Sequence, residues 1–165
     1  MFNMQDEVDK ISKDLTTDQK MDVFEKVLLD NYPVYEPKIN HYFAPGIYIR
    51  EMIAVKGKTL TSKIHKTEHF FEVTAGKIKT WDEFDGEIEI VAPYRGITKA
   101  GTRRAAEVLE DVTWSTIHAI DFITGNETNW SDEDKERLAG IIEEIVIEKH
   151  ENPLIGNRYL EEITK

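Results

Sequence analysis

Between Pro33 and His118 the chain is cut into short runs rich in β-branched and aromatic residues, and no other feature restricts its fold as much. The runs are Ile47–Val55, Phe70–Val73, Ile78–Trp81, Ile88–Val91 and Val112–Ile117, punctuated by Gly46, Gly57, Gly76, Gly86, Gly96 and Gly101. Strands of that length with glycine-bearing turns define a compact sandwich or barrel. Asp85-Gly86 lies between two of the runs, where glycine's tolerance of positive φ suits a tight hairpin.

The pattern changes on both sides of this region. Met4, Val8, Ile11 and Leu15 fall at helical spacing, and Thr16 or Thr17 is placed to cap a second helix whose apolar face carries Met21, Phe24, Val27 and Leu28. Pro33 ends it, because proline cannot continue the hydrogen-bond ladder. Beyond Asp121 the chain turns polar, and Ser131 with Asp134 predicts a capping-box start to another helix. Leu138, Ile141, Ile142, Ile145 and Val146 form its stripe, and Asn152-Pro153 is its expected end. The expected organisation is a helical extension over 1–32, a β-barrel over 33–120 and a second helical extension over 121–165.

Charge and composition narrow the function. A net charge of −11 repels phosphate backbones, and no basic patch offsets it, so nucleic acid is not an expected partner. The absence of cysteine excludes thiolate catalysis, disulfides and Cys-based zinc sites, while imidazole and carboxylate metal sites stay open. The first residues lack the basic start and apolar run of a signal peptide, and no stretch approaches membrane-spanning length. A soluble protein of the cytoplasm, not bound to a membrane, is expected. Two amphipathic flanking segments further predict a homodimer or larger homo-oligomer.

The chemistry concentrates in Lys63-Ile64-His65-Lys66-Thr67-Glu68-His69, followed by an aromatic and β-branched run to Gly76. Histidines four apart share a face in a helix or a strand, so spacing alone does not choose. A helical zinc-protease motif needs glutamate directly after the first histidine, where Lys66 stands, and the run that follows reads as strand.

These residues resemble the first motif of the cupins. Counting back from Gly76, His69 falls where that family has its glutamate ligand, His65 on its second histidine and Lys63 on its first. In the second motif, Lys99-Ala100-Gly101-Thr102-Arg103-Arg104 puts Arg104 where the family has histidine. The resemblance implies a mainly β fold, a single cupin (double-stranded β-helix, jelly-roll) barrel with N- and C-terminal helical additions, and pairing between subunits. The chain is also similar to cupin-like proteins encoded by bacteriophages and prophages. That similarity rests on His41–Glu51, Ile64–His69, Ala100–Arg104 and Glu110–His118, over roughly residues 33 to 119. It implies a phage origin, with host cytoplasm or virion as location, and brings no activity with it.

His118 ends the last predicted strand, and alternation puts Thr116 and Trp114 on its side. If that side faces inward, His65, His69 and His118 form a three-histidine face able to hold zinc, iron, manganese or nickel. The alternative is that these imidazoles pair with carboxylates such as Glu68 or Glu110. Arg50, Lys63, Arg103 and Arg104 are candidate donors to a small anionic ligand, with Trp114 on the same pocket wall; their alternative is ordinary ion pairing with Glu51, Glu110 or Asp111. Three function classes follow: a metal-dependent small-molecule enzyme, a non-catalytic binding protein, or a phage structural, assembly or host-interaction protein using the barrel as scaffold. Fold does not choose between them.

Overall fold

The computed structural model describes residues 6, 10–11, 13–120 and 131–147. Most of the helix expected over residues 4–15 lies outside this set, as do the segments 121–130 and 148–165. The fold is mainly β, as expected, and the elements named among the described residues are seven antiparallel strands and two helices. In order these are α1 (Thr17–Asn31), β1 (Lys38–Ala44), β2 (Ile47–Ala54), β3 (Thr59–Thr61), β4 (His69–Asp82), β5 (Gly86–Val91), β6 (Tyr94–Thr98), β7 (Ala105–Ala119) and α2 (Asp132–Val146). Neither helix is long and apolar enough to cross a membrane.

Two long strands organise the sheet. β4 and β7 pair along their lengths, and each has its other edge shared by two short strands. β6 takes the first half of β4 and β5 the second, while β3 takes the start of β7 and β2 its end. The pairing therefore has two halves, one running β1-β2-β7-β4-β6 and the other β3-β7-β4-β5.

The halves meet where the β4–β7 register slips between Val73 and Ile78. Gly76 sits in this irregularity at φ +83°, and a Cβ there would lie 2.0 Å from the Asp111 carbonyl oxygen. Only glycine satisfies both the dihedral and the contact. The expectation of two separate runs, Phe70–Val73 and Ile78–Trp81, is corrected: they are one strand bulged at Gly76. The core joins both halves, with Ala54, Phe71, Val73 and Val112 from one and Ile78, Ile90 and Val108 from the other.

The hairpin at Asp85-Gly86 forms, with Asp82 opposite Gly86 and the Asp82 Oδ1 accepting from the amides of Phe84 and Asp85. Of the alternative caps for α1, Thr16 is the one used, in a reciprocal capping box with Gln19. α1 buries Met21 and Phe24 against Ala105 and Trp81 on the outside of the barrel. Each such side chain contributes roughly 1.5–3 kcal/mol by leaving water. α2 starts with the Ser131–Asp134 box and packs Ala139, Ile142 and Val146 on Tyr48 and Ile120. Its described helical span ends at Val146, short of the expected Asn152-Pro153.

Gly76→Ala is expected to lower stability by roughly 2–4 kcal/mol, through positive-φ strain and the clash with Asp111. Urea unfolding followed by circular dichroism reads this directly, and a loss below about 0.5 kcal/mol would contradict the account of the bend.

Candidate metal centre

Strand register builds the site. In one half of the sheet Tyr48 pairs with His118 across β2 and β7 and His69 with Thr98 across β4 and β6, and the Phe70–Ile117 pair next to them brings His118 beside His69, so all four side chains share a face. The next row holds Arg50, Thr116 and Phe71, and the one after it Met52, Trp114 and Val73. The expected parity of His118, Thr116 and Trp114 is present.

His65 reaches the same place by another route. It lies on no strand, contrary to the expectation of three neighbouring strands, and is held by a single bridge to Ile147 just past α2. The amide of Gly101 donates to the His65 carbonyl at 2.9 Å, and the amide of Lys66 donates to the Val146 carbonyl at 2.7 Å. The three imidazole centroids lie 4.3 to 5.1 Å apart, and one ring nitrogen from each falls within 4.8 Å of the other two.

The hydrogen-bond pattern leaves ring nitrogens of this group without a protein partner. His69 Nδ1 donates to the Thr67 carbonyl at 3.0 Å, so its Nε2 carries the lone pair. His118 Nε2 meets the Thr116 hydroxyl at 3.0 Å, while its Nδ1 is buried with no partner. His65 Nε2 is likewise buried and unpartnered. Pairing with Glu68 or Glu110 does not occur.

Burial sets the protonation state. It pushes His65 down to about 3, helped by the adjacent His69 and His118 and by Arg50 and Lys63. It pushes His118 down to about 4, with His69 and Arg50 acting in the same direction. Burial also lowers His69, Arg104 adding to it and the Thr67 contact opposing. All three rings are neutral near pH 7, as metal ligands must be.

The candidate cations are dispersed. Arg103 is a correction: it faces away from the pocket and is buried beneath α1, its guanidinium 2.9 Å from both Asp22 and Glu25. Its expected alternative partners, Glu51, Glu110 and Asp111, are not used either. Arg104 does reach the cavity, but its Nε donates to the buried Asp82 at 2.9 Å and its Nη1 to Thr98 at 2.8 Å. Its guanidinium lies 5.2 Å from the Phe71 ring and 5.7 Å from that of Trp114, the two rings themselves stacked 4.4 Å apart. Arg50 and Lys63 converge on Glu143 of α2 at 3.1 and 3.3 Å. Burial raises the Glu143 carboxyl, and the two cations outweigh it, leaving the group below its ordinary value.

Glu143 and Asp82 are the site residues that sequence reasoning missed. Asp82 had no signal that set it apart from the acidic residues around it, and Glu143 had none beyond its place on a helix. Tyr48, fully buried, stacks on His118 and meets His41 Nδ1 through its hydroxyl at 2.8 Å.

A cavity of about 1030 Å³ lies beside the histidines, lined by His65, His69, Arg50, Arg104 and Trp114 and reaching Tyr32 and Tyr35 near α1. His118 lies behind the lining, Glu25, Leu28 and Leu29 of α1 belong to it, and α2 meets the lining residues Arg50 and Lys63 through Glu143.

No family model matches this chain, and no curated protein matches it in sequence. Among solved structures it is similar to a cupin superfamily protein from Desulfitobacterium hafniense, at 13% identity over 57% of this chain and 88% of that one, TM-score 0.42. It is also similar to the Cnp3 cupin domain of Schizosaccharomyces pombe, at 16% identity over 56% and 67%, TM-score 0.44. KdgF from a Halomonas species is similar at 13% identity over 53% and 86%, TM-score 0.42. At these values what those proteins bind or do is not transferred here.

Arg104→Ala removes the partner of a carboxylate that is 1% exposed, and is expected to cost about 3 kcal/mol. Its melting temperature should fall by several degrees, and an unchanged one would show the pair to be dispensable. A second expectation concerns acid. Unfolded histidine takes up protons below about pH 6.5, while His65 and His118 do so only near 3 and 4. The unfolded chain therefore binds more protons across that window, and stability of the metal-free protein should fall steadily from pH 6.5 towards 4. Urea midpoints at pH 7.5, 6.0 and 5.0 check the sign, and the slope should flatten in His65→Gln.

Proposed function

We propose that this chain is a cupin-type barrel that holds one divalent metal ion on His65, His69 and His118 and takes a small ligand in the adjoining cavity. The observation that carries the reading is the pair of buried, unpartnered nitrogens, His65 Nε2 and His118 Nδ1, aimed into a group of neutral imidazoles. Each unsatisfied polar atom costs roughly 1–3 kcal/mol, and a shared cation offsets that cost. An all-imidazole set suits zinc, iron, manganese or nickel.

The chain's own groups fit such a role. The Thr67 carbonyl fixes the tautomer of His69, and the Thr116 hydroxyl orients His118, as outer partners of metal ligands do. α2 closes one side of the group, and the cavity opens the other to a ligand. A bound ion supplies a Lewis-acid centre that polarises an oxygen donor of that ligand. A phage origin rests on the sequence resemblance alone.

Titration of metal-free, untagged protein with zinc in a calorimeter tests the reading. One ion per chain is expected, with a higher melting temperature in its presence. His69→Ala should lose most of this affinity, and Thr116→Val roughly tenfold of it. Absence of saturable binding by the wild-type protein, or equal binding by His69→Ala, would overturn the proposal.

A further inference from the structure

The four candidate cations are not neutralised alike. Arg103 faces two carboxylates, Asp22 and Glu25, and Arg104 faces one, Asp82. Arg50 and Lys63 share the single carboxylate of Glu143, so one positive charge is left over at the histidine end of the cavity they both line. In a protein of net charge −11 this local excess is a departure from the whole.

The geometry says which atoms offer that charge. Glu143 takes Nε of Arg50, and no described residue takes Nη1 or Nη2. Those two donors form a planar fork matched to a carboxylate. Arg104 has no comparable fork, since its Nε and Nη1 are both committed.

The rows of the sheet then order the cavity wall. The first row holds His69 and His118, the second Arg50 and Thr116, and the third Met52 and Trp114. Successive rows on one face lie about 7 Å apart, twice the rise per residue of a strand. Past Met52 and Trp114 the lining continues with Ile78, Leu60 and Ala106. Along its length the wall therefore runs from imidazole to guanidinium to apolar.

We propose that the cavity takes a small carboxylate with an apolar body, its carboxylate on Nη1 and Nη2 of Arg50 beside Lys63, and its body against Met52, Trp114 and Ile78. This deepens the metal-binding reading, on which it rests for what stands one row beyond the carboxylate. The fork itself is present without a metal, and that separates the two claims.

The test compares three probes sharing one body: phenylacetate, phenylacetamide and 2-phenylethylamine, titrated into metal-free and zinc-treated protein in a calorimeter. Phenylacetate is expected to bind at least tenfold more tightly than the amide, and the amine not to saturate. Arg50→Gln should erase the preference for the acid, Arg50→Lys should keep part of it, and Lys63→Gln should weaken the acid severalfold. The wild-type comparison needs no variant, so it decides even if Arg50→Gln fails to fold. Equal affinity for acid and amide, no binding of either, or an unchanged acid affinity in folded Arg50→Gln would overturn the proposal. An Arg50-dependent preference for the acid in a protein that takes up no zinc would uphold this inference and sink the metal reading. Zinc uptake without any preference for the acid would do the reverse.

Discussion

The pairing of β4 with β7 is the constraint on which everything else in this protein depends. One end of that ladder pairs Phe70 with Ile117 and so brings the adjoining His69 and His118 together, and the other sets Trp81 opposite Ala105, the ground on which α1 docks. Between them the ladder slips at Gly76, whose missing side chain lets the Asp111 carbonyl approach. A ladder that did not yield there would extend as one flat pair of strands. Because it yields, residues from both halves enclose one core and one cavity.

Charge pairing fastens the helices to this frame. α1 is held by the apolar contact of Met21 and Phe24 and by the ion pairs of Arg103 with Asp22 and Glu25. α2 is held by Ala139, Ile142 and Val146 and by the pairs of Glu143 with Arg50 and Lys63. Arg103 is almost wholly buried, so its pairs are shielded from solvent and salt; those of Glu143 are partly exposed and weaker for it. The helices thus do different work. α1 covers an outer face with Met21 and Phe24 and lines the cavity with Glu25, Leu28 and Leu29, whereas α2 holds the His65 segment through the backbone contacts of Val146 and Ile147.

The same desolvation that makes the histidines costly to bury makes them ready ligands. Burial keeps the rings neutral, the Thr67 carbonyl holds the N–H of His69 on Nδ1, and His65 Nε2 and His118 Nδ1 are left without a protein partner. What is left is one ring nitrogen from each histidine within 4.8 Å of the others, two buried ring nitrogens of the group having no protein partner, a cost that apolar packing does not offset.

The sequence by itself determined the features that depend on near neighbours. Alternation along Val112–Ile117 placed Trp114, Thr116 and His118 on one face, and Thr16 and Ser131 marked helix starts because their caps reach only three residues ahead. The short β-branched runs and their glycines set a mainly β fold with helices outside it. Only the tertiary structure decided which groups met across long separations. Arg104 found Asp82, Arg50 found Glu143 and Arg103 found Asp22, at distances of 22, 93 and 81 residues along the chain. Asp82 and Glu143 carried no mark distinguishing them from the other acidic residues of an acidic chain. His65 entered the site from a loop, drawn in by a bridge to Ile147 that no local rule contains. Periodicity, caps and turns are short-range and legible in order along the chain, whereas the partner of a buried charge is chosen by register and closure of the whole sheet.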